Sequence, residues 1–377
     1  MFEYNGIPNN LTTKVIGKVT LQSKALHKRK DYIFVTDKEY SLSWKDRIGY
    51  CAIISSAKQN KQPSILISNK DIKKLHDNDI LLLESDGKIV KLWDATSQHN
   101  ALFVTETCNC HCMMCPQPPI TELEDNIEQN MRILDLIDSS NAEYIGITGG
   151  EPTLTGDNLV KIVAKCAEKF PTCSATILTN ARKLSNIDNA RAIVKVGHKD
   201  LLFGIPIYSD NYHLHDKIVG SRGAFDEAIL GIKNLALFRQ KIEIRIVVHA
   251  LTFDRLPQLA EFIYRNMPFV VHIAFMGMEL KGLAEKNIDK LWIDPVDYAD
   301  SLVSAVKHLQ QREMNVSVFN LPLCVVPSTI HSICQQSISD WKNNFLPVCE
   351  GCTKIQECSG FFTTSKKIIS EHIKPII

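Results

Sequence analysis

The chain opens on short apolar runs broken by polar turns. Lys14–Leu21, Asp31–Val35, Tyr50–Ser55, Ser64–Ile67, Asp79–Glu84 and Ile89–Trp93 are each four to eight residues long. Runs of that length, rich in β-branched and aromatic residues, predict strands. Asp86-Gly87 between the last two predicts a hairpin turn. Residues 1–97 therefore read as a small β-rich N-terminal domain. From Ala101 the rhythm becomes strand, loop, helix, repeated. Ala101–Thr105, Tyr144–Thr148, Ala175–Thr179, Leu201–Ile207, Ile242–Ala250 and Val270–Met276 read as buried parallel strands. Helical patterns lie between and after them, at Ile120–Ile137, Asp157–Lys169, Ile187–Lys195, Ala224–Arg239, Leu256–Asn266 and Pro295–Arg312. A seventh short strand is expected at Asn315–Phe319. This alternation predicts an α/β fold with a parallel sheet curved into a partial (β/α)6 TIM-like barrel over residues 98–319. Residues 320–377 break the rhythm and read as a Cys-rich tail with one short helix near Ser337–Asn344.

Composition narrows the setting. A chain of 377 residues, 45% hydrophobic, can bury a sizeable core. The formal charge of +1 gives no reason to expect nucleic acid or an anionic membrane as partner. Residues 1–97 are more basic, near +5, which a solvated charged face explains. Met1–Lys14 holds no apolar run suited to a secretory signal, and no stretch reaches the roughly 18 apolar residues of a membrane span. A cytoplasmic protein is expected.

Twelve cysteines are many for such a chain, and they cluster. Cys108, Cys110, Cys112 and Cys115 fall in one short segment. Cys349, Cys352 and Cys358 fall in another, with Cys324 and Cys334 upstream. Clustering of this kind suggests metal or iron–sulfur ligation rather than disulfides. Cys51, Cys166 and Cys173 stand apart and read as buried thiols.

The segment that carries the chemistry is Thr105-Glu-Thr-Cys108-Asn-Cys110-His-Cys112-Met-Met-Cys115-Pro, directly after the first barrel strand. Cys108, Cys112 and Cys115 have the spacing C-x3-C-x2-C. Three thiolates on one loop can hold three irons of a [4Fe–4S] cube and leave the fourth iron open to a small molecule. A zinc knuckle completed by Cys110 or His111 is the plainer alternative. The second segment is Thr148-Gly149-Gly150-Glu151-Pro152, closing the second strand. An isolated Gly-Gly is ordinarily a turn.

Together these motifs, in this order and each after a strand, resemble the radical SAM superfamily. The resemblance implies that the open iron chelates S-adenosylmethionine (SAM), and that an electron from the reduced cluster cleaves it to a 5′-deoxyadenosyl radical. An electron donor follows, either a reductase or a flavodoxin or ferredoxin. Cys110 is not a ligand in the family spacing, and Met114 stands where the family often has an aromatic residue. Gly149, Gly150, Glu151 and Pro152 match the family's site for the SAM amino group. Glycines let backbone carbonyls approach the ligand, and Glu151 either faces the ammonium or steadies the loop. Further SAM contacts are expected at strand ends, from Asn180, Ser209 and Met276, and from Arg222 toward the SAM carboxylate. His213, His249 and His272 read as core or surface histidines.

In the tail, Cys349, Cys352 and Cys358 have the spacing C-x2-C-x5-C, and Cys324 follows the seventh strand. This resembles the auxiliary-cluster region of radical SAM peptide-modifying enzymes. It implies a second, closed [4Fe–4S] cluster, with a structural zinc as the alternative and Cys334 as rival fourth ligand. The tail also carries Gln336-Ser-Ile-Ser-Asp-Trp-Lys342-Asn343 and Cys358-Ser-Gly-Phe-Phe362. With Met114-Cys115-Pro-Gln-Pro-Pro119, these resemble the His-Xaa-Ser system radical SAM maturases, C-type. That likeness implies a precursor peptide rich in His-Xaa-Ser repeats and a second radical SAM maturase as partners.

Overall fold

The protein was analysed as a computed structural model that describes residues 3–38, 42–59, 62–120, 125–138, 142–337, 342–364 and 368–377. Contacts divide it into two units. The first comprises Met1–Phe103, Asn126–Gly146 and Lys161–Ala175. The second comprises Val104–Asp125, Ile147–Val160 and Thr176–Ile377.

The first unit is built on a mixed sheet of β1 (Glu3–Asn5), β2 (Ile7–Asn9), β3 (Val15–Thr20), β4 (Tyr32–Thr36), β5 (Ala52–Ser55), β6 (Ser64–Leu66), β7 (Ile80–Leu83) and β8 (Lys88–Trp93). Its order is β1-β8-β7-β3-β4-β5-β6-β2. All six apolar runs of residues 1–97 are strands. The pair β7–β8 is antiparallel, turning through Gly87 at φ +95°, as the Asp-Gly pair predicts. Val19, Ile33, Ile54, Ile65, Leu81, Leu83 and Ile89 form its core. The helix Ile127–Leu136 belongs to this unit, and Arg132 pairs with Asp31 at 2.9 Å. The helix pattern over Ile120–Ile137 is realised as this shorter element, and residues 121–124 lie outside the described residues.

The second sheet consists of β9 (Asn100–Phe103), β10 (Tyr144–Thr148), β11 (Ser174–Leu178), β12 (Leu201–Pro206), β13 (Lys241–Val248), β14 (His272–Gly277), β15 (Val316–Phe319) and β16 (Cys334–Gln335). The strands run in chain order from β9 to β16, and β12 through β16 pair in parallel. Sequential parallel neighbours joined by helices make this the expected α/β barrel-type sheet. It continues past six strands, through β15 to a two-residue β16. The helices bury the faces their spacing predicts. In Leu256–Asn266, the positions Leu256, Leu259, Ala260 and Ile263 are all at most 1% exposed, a stripe with the 3.6-residue period.

A helix absent from the sequence reading, Tyr212–Val219, follows β12. Asn211 caps it by accepting the Leu214 N–H at 3.2 Å, and Gly220 ends it at φ +63°. Both are the residue types that start and stop helices. Half of the helix expected near Ser337–Asn344 lies outside the described residues, which omit 338–341. No helix of the described residues is long and apolar enough to cross a membrane.

Candidate active site

Past β9 the backbone runs beside the end of β10. The Val104 N–H donates to the Thr148 carbonyl at 2.8 Å, Gly150 N–H to Thr105 at 2.7 Å, and Glu151 N–H to Thr107 at 2.8 Å. Two main chains lie so close that a Cβ on Gly149 would overlap the Thr105 carbonyl oxygen, and one on Gly150 the Thr107 carbonyl oxygen. The glycine pair therefore has a structural reason within the chain, ahead of any ligand: it lets the turn pack against the root of the cysteine loop.

The loop itself is gripped by main-chain bonds. His111 N–H donates to Val219 at 2.9 Å, Met113 N–H to Ile218 at 2.9 Å, and Leu283 N–H to the Cys115 carbonyl at 2.8 Å. The Asn287 side chain donates to the Met113 carbonyl at 3.0 Å. Buried Met114 and Cys110 pack with Tyr208, Ile218 and Leu291. Cys108, Cys112 and Cys115 remain half-buried, whereas Cys110 is 2% exposed. Cys110 Sγ accepts from Asn180 Nδ2 at 3.5 Å and Arg182 Nη1 at 3.6 Å. Thiol donation from Cys108 and Cys112, with the Arg182 charge, holds the Cys110 pKa far below the thiol range and raises the two donors.

Glu151 is 1% exposed. Its Oε1 accepts from Thr153 N–H at 3.0 Å, Thr153 Oγ1 at 2.5 Å and Thr179 Oγ1 at 2.6 Å. Its Oε2 accepts from Asn180 N–H at 2.6 Å. Of the two roles open to it from sequence, this geometry is the steadying one. Burial raises its pKa, and the four donors work against that shift. Pro152 opens the one-turn 3₁₀ helix Pro152–Thr155. Asn180 donates to Asn109 Oδ1 at 2.7 Å, so one residue after β11 holds both the Glu151 turn and the cysteine loop.

Other expected residues divide. Ser209, buried after β12, accepts the Asn211 N–H at 3.1 Å and acts as a turn residue. Met276 is buried at the end of β14, with Sδ 3.3 Å from Arg245 Nη2. Arg222 is exposed on the turn before Ala224–Leu237. The guanidinium bonded to the loop is that of Arg182, unflagged by the sequence reading. It donates to the Asn109 carbonyl, to Ser221 Oγ at 2.8 Å and to Glu227 at 2.6 Å.

A second missed feature is the polar face of β13. Ile242, Ile244, Ile246 and Val248 are at most 2% exposed. Between them Glu243 Oε1 pairs with Arg245 Nη1 at 2.5 Å, and Glu243 Oε2 with His272 Nδ1 at 2.7 Å. His272 Nε2 lies 3.0 Å from Ser317 Oγ. Burial acts to raise the Glu243 pKa, but His272 and Arg245 outweigh it and hold the carboxyl low. The strict alternation Lys-Ile-Glu-Ile-Arg-Ile was the available signal, since a strand buried on two apolar faces does not alternate.

In the tail, Cys324, Cys349, Cys352 and Cys358 line one recess of about 330 Å³. Leu323 N–H and Gly360 N–H each donate to Cys358 Sγ at 3.4 Å. Cys334 is not among the lining residues; its Sγ donates to the Ile330 carbonyl at 3.4 Å, and burial pushes its pKa up to about 12. Cys166 and Cys173 are buried as expected, while Cys51 is half-buried with Sγ donating to the Tyr32 carbonyl at 3.0 Å. Among the described residues, no three cysteine sulfurs lie within 4.8 Å of one another. The one convergent trio is His76, Asp79 and Asp94, where Lys91 already pairs with both carboxylates at 2.8 and 3.1 Å.

Residues 102–263 match the family model of the radical SAM superfamily. Fe-coproporphyrin III synthase of Methanosarcina barkeri is 25% identical over 225 residues, 59% of this chain and 51% of that protein. The chain spans about half the length of this curated relative. The solved structure of Streptococcus suis SuiB bound to S-adenosylmethionine aligns with a TM-score of 0.49 and 18% identity, over 59% of this chain and 51% of SuiB. SuiB bound to its precursor peptide SuiA aligns with a TM-score of 0.49 and 17% identity, over 59% and 49%.

Proposed function

We propose that the protein is a radical SAM enzyme that modifies a ribosomally made peptide, with Cys108, Cys112 and Cys115 holding a [4Fe–4S] cluster. The carrying observation is three half-buried thiols on a loop gripped by main-chain bonds beside Gly149–Pro152. Such a cluster, when bound, supplies the electron for reductive cleavage of SAM. The chain's own part is to hold that loop still and to build the SAM wall around it. Gly149–Pro152, Asn180, Ser209 and Met276, at the ends of β10, β11, β12 and β14, are the wall in this reading. Exposed Arg222 keeps a guanidinium for the SAM carboxylate. Cys110, buried against Arg182, is left out of the ligand set.

The C-x3-C-x2-C spacing of three thiols on one loop suits a cluster that leaves one iron open. The tail recess, lined by four cysteines and fed by N–H donors, supports an auxiliary cluster on Cys324, Cys349, Cys352 and Cys358. Hydrogen bonds to cluster sulfurs are a usual means of tuning such centres. The peptide substrate rests on the sequence likeness to His-Xaa-Ser maturases, which also brings in the second maturase and the flavodoxin, ferredoxin or reductase donor. A small-molecule substrate is the second reading, favoured by the relative whose name is Fe-coproporphyrin III synthase.

Iron and sulfide assays on anaerobically purified protein test the first claim. Cys108, Cys112 and Cys115 replaced together by alanine should lose about four irons and all 5′-deoxyadenosine production, while Cys110→Ala keeps both. Undiminished 5′-deoxyadenosine in the triple variant ends the proposal. A mass change in a His-Xaa-Ser precursor peptide, dependent on SAM, separates the peptide reading from the small-molecule one.

A further inference from the structure

The end of the chain lies over the tail cysteines. Ile376 N–H donates to Cys352 Sγ at 3.4 Å. The Ile376 carbonyl accepts both the Thr353 N–H and the Thr353 hydroxyl at 2.9 Å. Lys374, Pro375 and Ile376 line the same recess as the four cysteines. Pro375, just before the sulfur-bonded Ile376, has no N–H and fixes φ. Proline also biases Lys374 toward extended backbone.

We propose that residues 374–376 are a strap belonging to the tail metal site, with the Ile376 amide acting as a sulfur donor that retains the metal. The inference rests on the reading of the tail cysteines as metal ligands. Metal binding displaces the thiol protons, and an ionised sulfur is the stronger acceptor. Loading the site therefore tightens the strap, and the docked strap slows metal loss. Together with Leu323 and Gly360, it brings the backbone donors on these cysteines to three, shared between Cys352 and Cys358.

The test uses the full chain, reconstituted anaerobically, with two variants at the strap. Ile376→Pro removes the amide donor, while Ile376→Ala keeps the donor and loses only the side chain. Tail metal should leave to a chelator about tenfold faster from Ile376→Pro, and within about twofold of wild type from Ile376→Ala. Deuterium exchange at 374–376 should slow when the tail is loaded. Unchanged metal release in Ile376→Pro, or exchange at 374–376 indifferent to metal, overturns the strap. If wild-type protein carries metal at the Cys108–Cys115 loop alone, the tail site itself falls and the strap with it. SAM affinity, unchanged in the variants, verifies that the barrel has folded.

Discussion

The Glu151 carboxylate accepts the Asn180 backbone N–H at 2.6 Å, joining the turn after β10 to the end of β11. Its other oxygen serves Thr153 and Thr179. Glu151→Gln turns one acceptor into an NH₂ that cannot accept from both sides. One buried, charge-assisted bond is lost, and stability in denaturant titration should fall by about 1.5–3 kcal/mol. SAM affinity should fall with it, because the same turn carries Gly149 and Gly150. A variant as stable as wild type would mean that Thr153 and Thr179 hold the turn unaided.

Gly150→Ala tests the close approach of the two main chains. The added methyl has no room beside the Thr107 carbonyl, and backbone cannot swing aside as a side chain can. Overpacking of this kind costs about 1–3 kcal/mol. The expected phenotype is a lower melting temperature together with poor iron retention at the cysteine loop, read as iron per chain after desalting.

Arg182→Met should leave the fold standing and loosen the loop. The side chain ties Asn109, Ser221 and Glu227 to one guanidinium. Arg182→Lys should rescue little, because an ammonium cannot span three acceptors as a planar fork does. Deuterium exchange across 108–115 should rise in both variants, and an unchanged exchange pattern would assign the loop's rigidity to its main-chain bonds alone.

Two buried histidines set an acid limit. Burial lowers His215 and His249 each to about 4 from an ordinary 6.5. The unfolded chain then takes up protons between pH 6.5 and 4 that the folded chain refuses. Stability is full above about pH 6.5 and declines as pH falls to about 4, by about 1.4 kcal/mol per pH unit for each histidine. Glu151, raised by burial, contributes in the opposite sense near its own pKa. Comparing wild type with His215→Asn isolates the histidine: the slope of stability against pH should drop by one proton.

Much of this was legible beforehand, for identifiable reasons. The six apolar runs of residues 1–97 are strands because each is a continuous patch with turn residues on both sides. β1 and β2 were missed because three residues give no period, and Gly6 and Pro8 argue against strand locally. The helix Tyr212–Val219 had both its signals, Asn211 and Gly220, but at eight residues it gives barely two turns of apolar period. Four tail cysteines line one recess, and spacing alone could not choose between Cys324 and Cys334 as the one beside Cys349, Cys352 and Cys358. Arg182 was invisible because a guanidinium's partners here are a carbonyl, a hydroxyl and a carboxylate far apart in sequence. Only the fold brings those together.

The contact that residues 374–376 make to sulfur comes from the main chain, and this bears on how the region can evolve. The side chain of Ile376 is free to drift, provided that the position does not become proline. Related chains would then keep the cysteines letter for letter while their last residues diverge. A comparison by side-chain identity would discard as noise a segment whose geometry is under selection.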